Sequence, residues 1–588
     1  MPSESYREFI KEAFIAPIRS VLIVDDDYPT FDEILFSQIE ANKSDEPPVM
    51  NSEKDWYKDP VSIQGVLNKF REAGQPLLVD IHDGHNVEIG EEPKAASHLH
   101  QSDLLVLDYQ LDRDRVGDGT KAIDIARALG RNSHFNMVLV HTSEILDDVF
   151  RQMLVGLMGP ITGIISTEES AAVEKWLSDI EDENPDITAQ LVALASREHY
   201  LHYRRISNVQ SPSSIKAPSM NGFQEVYDKY ALNADFSDLV FRWALHGRQT
   251  ELAPEMNVEG SPELSWSEIH PRWLRTDFLF MAFTKKGKGD DLLGDLLDTL
   301  TAWNPRPSRL FLAALRNQLE EKGVLAESKA LGSNHVLAHW YSRLLDSDGA
   351  QRDYMVGESV ARHSEQLLRF VMPDVIDFAS RLVSSETDNS VELCKNYFNV
   401  DLTKPDVLFR SQIEHNAFVC SKKVEGYHLT TGHVLCIDDE VYACLSPSCD
   451  LVPGKKKEAR YGDIGDTLPF TAVRLQVVPG EKLPKRVQTN RFIFIELAGK
   501  IKIYSLNDPQ NENAGPHWFT LYAEQEGRFD KANNSLKVQR IVSDGKGGLK
   551  SHSSTATVIA QLRYEYALNL LQKLGSVMGR VGLDFVGA

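Results

Sequence analysis

The chain has 588 residues, and at roughly 150 residues per domain this length predicts several domains and excludes a single small module. Hydrophobic residues make up 42% and charged residues 25%, which is the balance of a folded protein and excludes a disordered or fibrous chain. The formal net charge of -23 opposes binding to nucleic acid or anionic lipid over the general surface, so nucleic-acid binding would need a local basic patch.

Cysteine usage and hydropathy predict the compartment. The five cysteines lie between residues 394 and 449, and an odd, sparse set is typical of a reduced intracellular protein. The charged N-terminus lacks an apolar signal core, and no stretch has the roughly 18 to 20 apolar residues of a membrane span. We therefore expect a soluble, cytoplasmic protein that does not enter a membrane.

Residues 18–185 alternate short apolar runs with amphipathic stretches, which predicts a parallel sheet with helices on both faces. The expected strands are Val21–Val24, Leu77–Ile81, Leu104–Leu107, Met137–His141 and a weaker Ile161–Ile165. The expected helices are Val61–Glu72, Thr120–Leu129, Ile145–Leu157 and Ser166–Asp182. The fold class is therefore α/β, with a doubly wound sheet of five parallel strands.

The remainder of the chain divides by pattern into three further regions. Residues 186–261 are predicted to be a helical linker region, and residues 262–388 have the apolar spacing of a helical domain. From residue 389 to 588, runs of Val, Ile, Tyr and Phe between turn dipeptides predict a mostly-β module. A helix at Ser554–Gly575 is expected to close this C-terminal module.

Acidic residues follow two of the predicted strands directly. The first strand runs into Asp25 and Asp26, and the third runs into Asp108. Because ligands of open parallel sheets bind at the carboxyl ends of the strands, these oxygens are expected to converge. A few carboxylates with water and phosphate oxygens suit Mg²⁺. The fourth strand brings the Thr142 hydroxyl to the same edge.

This ordered set resembles the receiver domain of two-component response regulators. The resemblance implies that Asp25 and Asp26 are the acidic pair, that Asp108 accepts a phosphoryl group from a histidine kinase, and that Thr142 is the switch hydroxyl. It further implies that Mg²⁺ is bound by Asp25, Asp26, Asp108 and the backbone carbonyl of Gln110. The resemblance covers residues 18–185, less than a third of the chain.

One feature of the family is missing from the expected place. Receivers have a lysine after the fifth strand that contacts the phosphoryl group, but the segment from Gly159 to Ser166 contains none, and the next lysine is Lys175. The sequence therefore predicts a receiver whose switch is damaged. A pseudo-receiver scaffold that works without phosphorylation is the corresponding alternative.

The output of the protein is not assigned by any motif. No helix-turn-helix, cyclase, kinase or phosphorylase pattern is found, so an enzyme is not expected beyond receiver phosphorylation chemistry. The architecture resembles regulators encoded with histidine kinases in bacterial antiviral defence systems of the Detocs type. This implies a regulator or a phosphate sink that shares its kinase with a second response regulator or an effector protein. The alternative for the output is an enzyme that the receiver gates, with its site near Cys449-Asp450. The oligomeric state considered is a homodimer.

Overall fold

A computed structural model gives the architecture of two compact units, Met1–Ala313 and Ala314–Ala588. It describes residues 3–579 except 31–32, 34, 36–59, 73, 75, 83, 85–101, 113–114, 116, 132–133, 208–220, 258–262, 288–290, 348, 455–461, 463, 479–486, 488–490 and 508–514. Within these ranges, every helix is too short or too polar to cross a membrane.

The first unit is built around a seven-stranded sheet. Its strands are β1 (Ser20–Val24), β2 (Leu78–His82), β3 (Leu104–Leu107), β4 (Asn136–Thr142), β5 (Ser265–Ser267), β6 (Trp273–Arg275) and β7 (Leu279–Lys285). Their order across the sheet is β2-β1-β3-β4-β7-β6-β5. The first five in this order are parallel, while β6 and β5 add an antiparallel edge. The predicted doubly wound, five-stranded parallel sheet is therefore confirmed.

Helices cover both faces of this sheet. They are α1 (Glu4–Ile10), α2 (Pro60–Arg71), α3 (Thr120–Leu129), α4 (Leu146–Leu157), α5 (Thr167–Ile180), α6 (Ile187–Leu194), α7 (Arg197–Ser207), α8 (Asn221–Lys229), α9 (Ala234–Leu252) and α10 (Leu292–Trp303). On one face, α3 and α4 share a buried core with β1, β3, β4 and β7. On the other, the Trp303 ring at the end of α10 lies 5.1 Å from Phe280 of β7 and 5.9 Å from Phe14, which follows α1.

The identity of the fifth parallel strand was predicted wrongly. Ile161–Ile165 is not a strand, and β7 takes the place beside β4, in register from Asn136↔Leu279 to Thr142↔Lys285. The five residues from Leu279 to Phe283 are all buried, because a central parallel strand is covered on both faces. Strands β5, β6 and β7 also show that the predicted helical domain does not begin at residue 262.

The chain between α4 and β5 forms a helical insertion, consisting of α5 to α9, between strands of the same sheet. Buried side chains of these helices, such as Leu191, Tyr200 and Leu245, belong to the same core as the sheet. Helix α5 begins with a capping box between Ser166 and Glu169. Glu169 also pairs at 3.0 Å with Arg242 of α9, whose side chain is almost fully buried. The insertion is therefore packed as part of the first unit.

The second unit combines helices with an antiparallel sheet. Its helices are α11 (Pro307–Ala330, which begins in the first unit), α12 (Asn334–Asp346), α13 (Gly349–Ser384), α14 (Ser390–Phe398), α15 (Pro405–Cys420) and α16 (Tyr564–Met578). Its strands are β8 (Ser421–Lys422), β9 (His433–Ile437), β10 (Glu440–Cys444), β11 (Leu468–Val477), β12 (Phe492–Leu497), β13 (Lys500–Ser505), β14 (Trp518–Ala523), β15 (Ser535–Ser543) and β16 (Leu549–Leu562).

Six of these strands pair in a closed ring. Strand β10 pairs with both β9 and β11, and the chain of pairs continues through β14, β15 and β16 back to β9. Their buried apolar side chains form one core that includes Leu435, Phe470, Leu521, Val538 and Val558. The predicted mostly-β C-terminal module is confirmed in class, although its β part begins at Ser421 and not at residue 389.

Three helices in this region also differ from the prediction. Residues 390–398 and 405–420 form α14 and α15, because Asn389 caps the first through its side chain and Pro405 occupies the first turn of the second. The predicted helix Ser554–Gly575 is wrong in its first half, which continues strand β16 to Leu562. The closing helix α16 begins at Tyr564.

His433, at the start of β9, should make the stability of the second unit depend on pH. Its side chain is fully buried, and burial lowers its pKa from 6.5 to about 4. Its Nδ1 accepts a hydrogen bond at 3.2 Å from the Thr430 amide, which requires the neutral ring. The unfolded chain therefore binds a proton at a higher pH than the folded chain does, so stability is lost as the pH falls from about 6.5 to about 4.

For His433→Gln, we expect the fall in the free energy of unfolding between pH 7 and pH 5 to be smaller than in the wild type by about 2 kcal/mol. Glutamine keeps a hydrogen-bond acceptor and does not titrate in this range. Urea unfolding of both proteins at the two pH values measures the difference, and carboxylates elsewhere contribute equally to both. Equal pH dependence in the two proteins would contradict the assignment.

Candidate phosphoacceptor site

The carboxyl ends of β1 and β3 bring three aspartates together. Asp25 and Asp26 directly follow β1, and Asp108 directly follows the neighbouring β3. The Asp25 amide donates to His82 O at 3.0 Å and the Asp108 amide donates to Val24 O at 2.9 Å, so the ladder fixes both backbones. Chain connections leave β1 and β3 in opposite directions across the sheet here, and such switch points form the ligand crevices of open α/β sheets.

Lys286 completes this group from far along the chain. It follows the last residue of β7, and its backbone amide donates to Thr142 O at 2.8 Å, which extends the pairing of β7 with β4. Its Nζ donates to Asp25 Oδ2 at 2.8 Å and to Asp108 Oδ2 at 2.7 Å. The expectation that no lysine follows the fifth parallel strand is therefore wrong, because that strand is β7 and not residues 161–165.

Acidic side chains outnumber basic ones among these four residues, Asp25, Asp26, Asp108 and Lys286. Asp25, Asp26 and Asp108 are each less than 7% exposed, and Lys286 is the cation that pairs with two of them. Burial raises the pKa of Asp108 to about 6, with Lys286 acting to lower it and Asp25 to raise it. Burial would lower the pKa of Lys286, but its two carboxylate partners raise it above the usual value. A further positive charge would stabilise this arrangement.

The oxygen atoms present fit a hard divalent cation. One carboxylate oxygen from each of Asp25, Asp26 and Asp27 lies within 4.8 Å of the others, so these three can act as a ligand group. Asp108 Oδ1 is buried and accepts no hydrogen bond from any residue that the structure describes. A buried carboxylate oxygen without a hydrogen bond lowers the stability of the fold unless a ligand contacts it. Asp27 was not among the predicted ligands.

The other two predicted site residues lie on the same edge of the sheet. Thr142 is fully buried at the end of β4, and its Oγ1 accepts a hydrogen bond from the Glu144 amide at 3.2 Å. Gln110 lies two residues after Asp108 in the loop that follows β3, and its side-chain oxygen accepts a long bond of 3.5 Å from the Gly117 amide. Their roles as switch hydroxyl and metal-binding carbonyl remain predictions.

Tyr109 connects the loop after Asp108 to helix α4. Its ring is buried, and its hydroxyl donates a hydrogen bond to the Gln152 side chain of α4. Gly119, which precedes α3, is in contact with this ring, since a Cβ there would lie 2.0 Å from two of its carbon atoms. The packing of the Tyr109 ring, next to Asp108, therefore requires glycine at position 119.

Gly119→Ala is expected to displace the Tyr109 ring and to lower the stability of the first unit by about 1–3 kcal/mol, the usual cost of overpacking. Thermal unfolding measures this loss. The matched control is Gly65→Ala in helix α2, where a Cβ meets nothing within 4 Å and alanine should be neutral or stabilising by up to about 1 kcal/mol. An undisturbed melting temperature in Gly119→Ala would contradict the packing argument.

Cys449 and Asp450, the predicted alternative site, lie in the second unit. They form part of the short 3₁₀ turn Ser448–Asp450, where the exposed Cys449 thiol donates to Asp450 Oδ1 at 3.8 Å. A catalytic role for this pair remains a prediction.

Comparison with known proteins identifies the N-terminal third of the chain. The family model for the response receiver domain matches residues 17–190. No curated protein and no solved structure matches the chain. The family match includes the three aspartates and Thr142 but ends well before β7, so it does not include Lys286. Residues 17–190 are thus identified as a response receiver domain.

Proposed function

We propose that the protein is the response regulator of a phosphorelay and that Asp108 accepts a phosphoryl group from a histidine kinase. Mg²⁺ would be held by Asp25, Asp26, Asp108 and the backbone carbonyl of Gln110. The observation that carries the proposal is the position of Lys286 Nζ, which is 2.8 Å from Asp25 and 2.7 Å from Asp108. A cation fixed beside the acceptor carboxylate suits a reaction that brings more negative charge to the same place.

The residues support an in-line phosphoryl transfer. Asp108 Oδ2 is engaged by Lys286, which leaves the buried Oδ1 to attack the phosphorus atom. The new bond is an acyl phosphate O–P bond, and the P–N bond to the histidine of the kinase breaks, with the electron pair remaining on the imidazole nitrogen. The metal ion, when bound, neutralises charge shared by the carboxylates and the phosphoryl oxygens.

The same residues can report the new state to the rest of the first unit. A phosphoryl group on Asp108 offers oxygens to the Lys286 ammonium and to the Thr142 hydroxyl, which lie at the ends of the paired strands β7 and β4. The helical insertion lies between these two strands in the sequence and shares their core. The Thr142 hydroxyl would move toward the new phosphoryl oxygens, and such a movement can shift a neighbouring element between two arrangements. We therefore infer that phosphorylation changes the packing of the helical insertion.

The test is intact-mass analysis of the full chain after incubation with acetyl phosphate, with and without Mg²⁺. We expect one phosphoryl adduct that requires the metal and is lost when the metal is chelated. A histidine kinase encoded beside the gene serves as a second donor. Absence of an adduct with both donors would contradict the proposal and favour the pseudo-receiver scaffold.

The output remains a separate prediction. A phosphate sink in antiviral defence would compete with a second response regulator for the kinase, so phosphoryl transfer to that regulator should slow when this protein is added. In contrast, a receiver-gated enzyme at Cys449 would lose its activity in Cys449→Ser while keeping the phosphoryl adduct on Asp108.

A further inference from the structure

A groove in the second unit has the size of a small-molecule site. It lies among helix α12, helix α13 and the turn at residues 448–452, and it encloses about 680 Å³. Ligand sites of proteins commonly measure about 300–1,000 Å³ and combine aromatic walls with a few polar groups. The walls of this groove carry both kinds of side chain, and none of them belongs to the phosphoacceptor site.

One wall is an aromatic surface held in place by hydrogen bonds. The Trp340 indole N–H donates to Ser359 Oγ at 2.8 Å, and its ring lies 5.3 Å from the ring of His363. His363 Nδ1 lies 2.7 Å from the Ser359 carbonyl oxygen, which fixes that ring as well. Trp340 is still 36% exposed, so a planar ligand ring can stack on a face that is already ordered.

The groove also carries excess positive charge in a chain whose net charge is -23. It is lined by Arg343, Arg362 and a single carboxylate, Glu358, which lies 3.6 Å from Arg362. Among the residues that the structure describes, none forms an ion pair or hydrogen bond with the Arg343 guanidinium. A planar guanidinium in this condition suits a phosphate group, to which it can donate two parallel hydrogen bonds.

The remaining polar groups match the other parts of a nucleotide. The carboxamides of Gln351 and Gln366 line the groove and can donate to and accept from the edge of a heterocycle. Glu358 can accept hydrogen bonds from ribose hydroxyls. We propose that this groove binds a mononucleotide, with the base stacked on Trp340 and the phosphate bound by Arg343.

The test is calorimetric titration of the full chain with AMP, GMP, CMP and UMP, followed by adenosine and inorganic phosphate for comparison. At least one mononucleotide should bind at or below about 1 mM. Trp340→Leu should weaken nucleotide binding roughly tenfold or more, which is the usual effect of losing one stacked base. Arg343→Gln should weaken binding of the mononucleotide by a similar factor but leave binding of its nucleoside unchanged.

Matched controls are available on the same helices. Leu345→Ala changes an exposed apolar residue of α12, and Arg369→Gln removes another exposed arginine of α13, but neither residue lines the groove. Both controls should bind the nucleotide as the wild type does. Circular dichroism establishes that each variant is folded.

Cys449 provides a readout that needs no substitution. It is the exposed cysteine and lines the groove, whereas Cys394 is half-buried and lies elsewhere. The bound nucleotide should slow alkylation of Cys449 by iodoacetamide and leave Cys394 unaffected. The proposal is overturned if none of the four nucleotides binds, if both groove variants bind normally, if the controls weaken binding equally, or if Cys449 is not protected.

Discussion

Asp108→Asn is expected to abolish phosphoryl uptake. Asparagine keeps the shape of the side chain and an oxygen that can accept a hydrogen bond from Lys286 Nζ, now 2.7 Å from Asp108. It has no carboxylate oxygen to form an acyl phosphate, so the nucleophile is lost while the surrounding structure is kept. Intact-mass analysis after incubation with acetyl phosphate and Mg²⁺ should show the adduct in the wild type and none in the variant.

Asp112→Asn is the matched control, since Asp112 lies in the same loop and is partly exposed. It should accept the phosphoryl group normally. An adduct of equal yield in Asp108→Asn, or its loss in both variants, would refute Asp108 as the acceptor.

Lys286→Met is expected to have the second largest effect, on both stability and reaction rate. Without the ammonium group, the buried carboxyl groups of Asp25 and Asp108 lose the cation that pairs with them, and breaking a buried ion pair costs about 3–5 kcal/mol. We expect the low end of this range, because the Lys286 side chain is 24% exposed. Phosphoryl uptake should slow at least tenfold, since a fixed cation beside the transferred group is lost.

Mg²⁺ provides a sharper form of this test. A divalent cation at the aspartates replaces part of the missing charge, so Mg²⁺ should raise the melting temperature of Lys286→Met more than that of the wild type. Lys285→Met is the control, because Lys285 is exposed at the end of β7 and should be neutral. Equal melting temperatures for Lys286→Met and the wild type in the absence of Mg²⁺ would contradict the proposed charge balance.

The acidic half of the site could be predicted because it depends on local sequence. Val21–Val24 and Leu104–Leu107 are short apolar runs that end directly in Asp25 and Asp108, and a strand followed by an acidic turn can be recognised without knowing its neighbours. The observed strands β1 and β3 differ from these ranges by at most one residue.

The basic half of the site could not be found in this way, because Lys286 is brought to Asp108 by a contact between distant segments. Strand β7 pairs with β4 across the whole helical insertion, and periodicity within a short window does not report such partners. The signal that was available is the run Leu279–Phe283 followed by Thr284, Lys285 and Lys286. Since a strand buried on both faces has no alternation, this run was absorbed into a helical region.

The sequence of the second unit was misread for a different reason. Helix α14 has an Asn389 cap and helix α15 begins at Pro405. Both residues are helix start signals, and they indicate helices here although the Val, Ile, Tyr and Phe content of the region favours strands. In contrast, the long strand β16 contains many serines and threonines, and its partners β9 and β15 are settled only by the closed ring of strands.

The late position of β7 in the chain has a consequence for synthesis on the ribosome. Until residues 279–285 emerge, β4 has no parallel partner on that side, and an open strand edge is a site of misassociation. Helices α5 to α9 are made in that interval. Asp108 is therefore translated long before Lys286, and a nascent chain can bring the two side chains together only after residue 286 has been made.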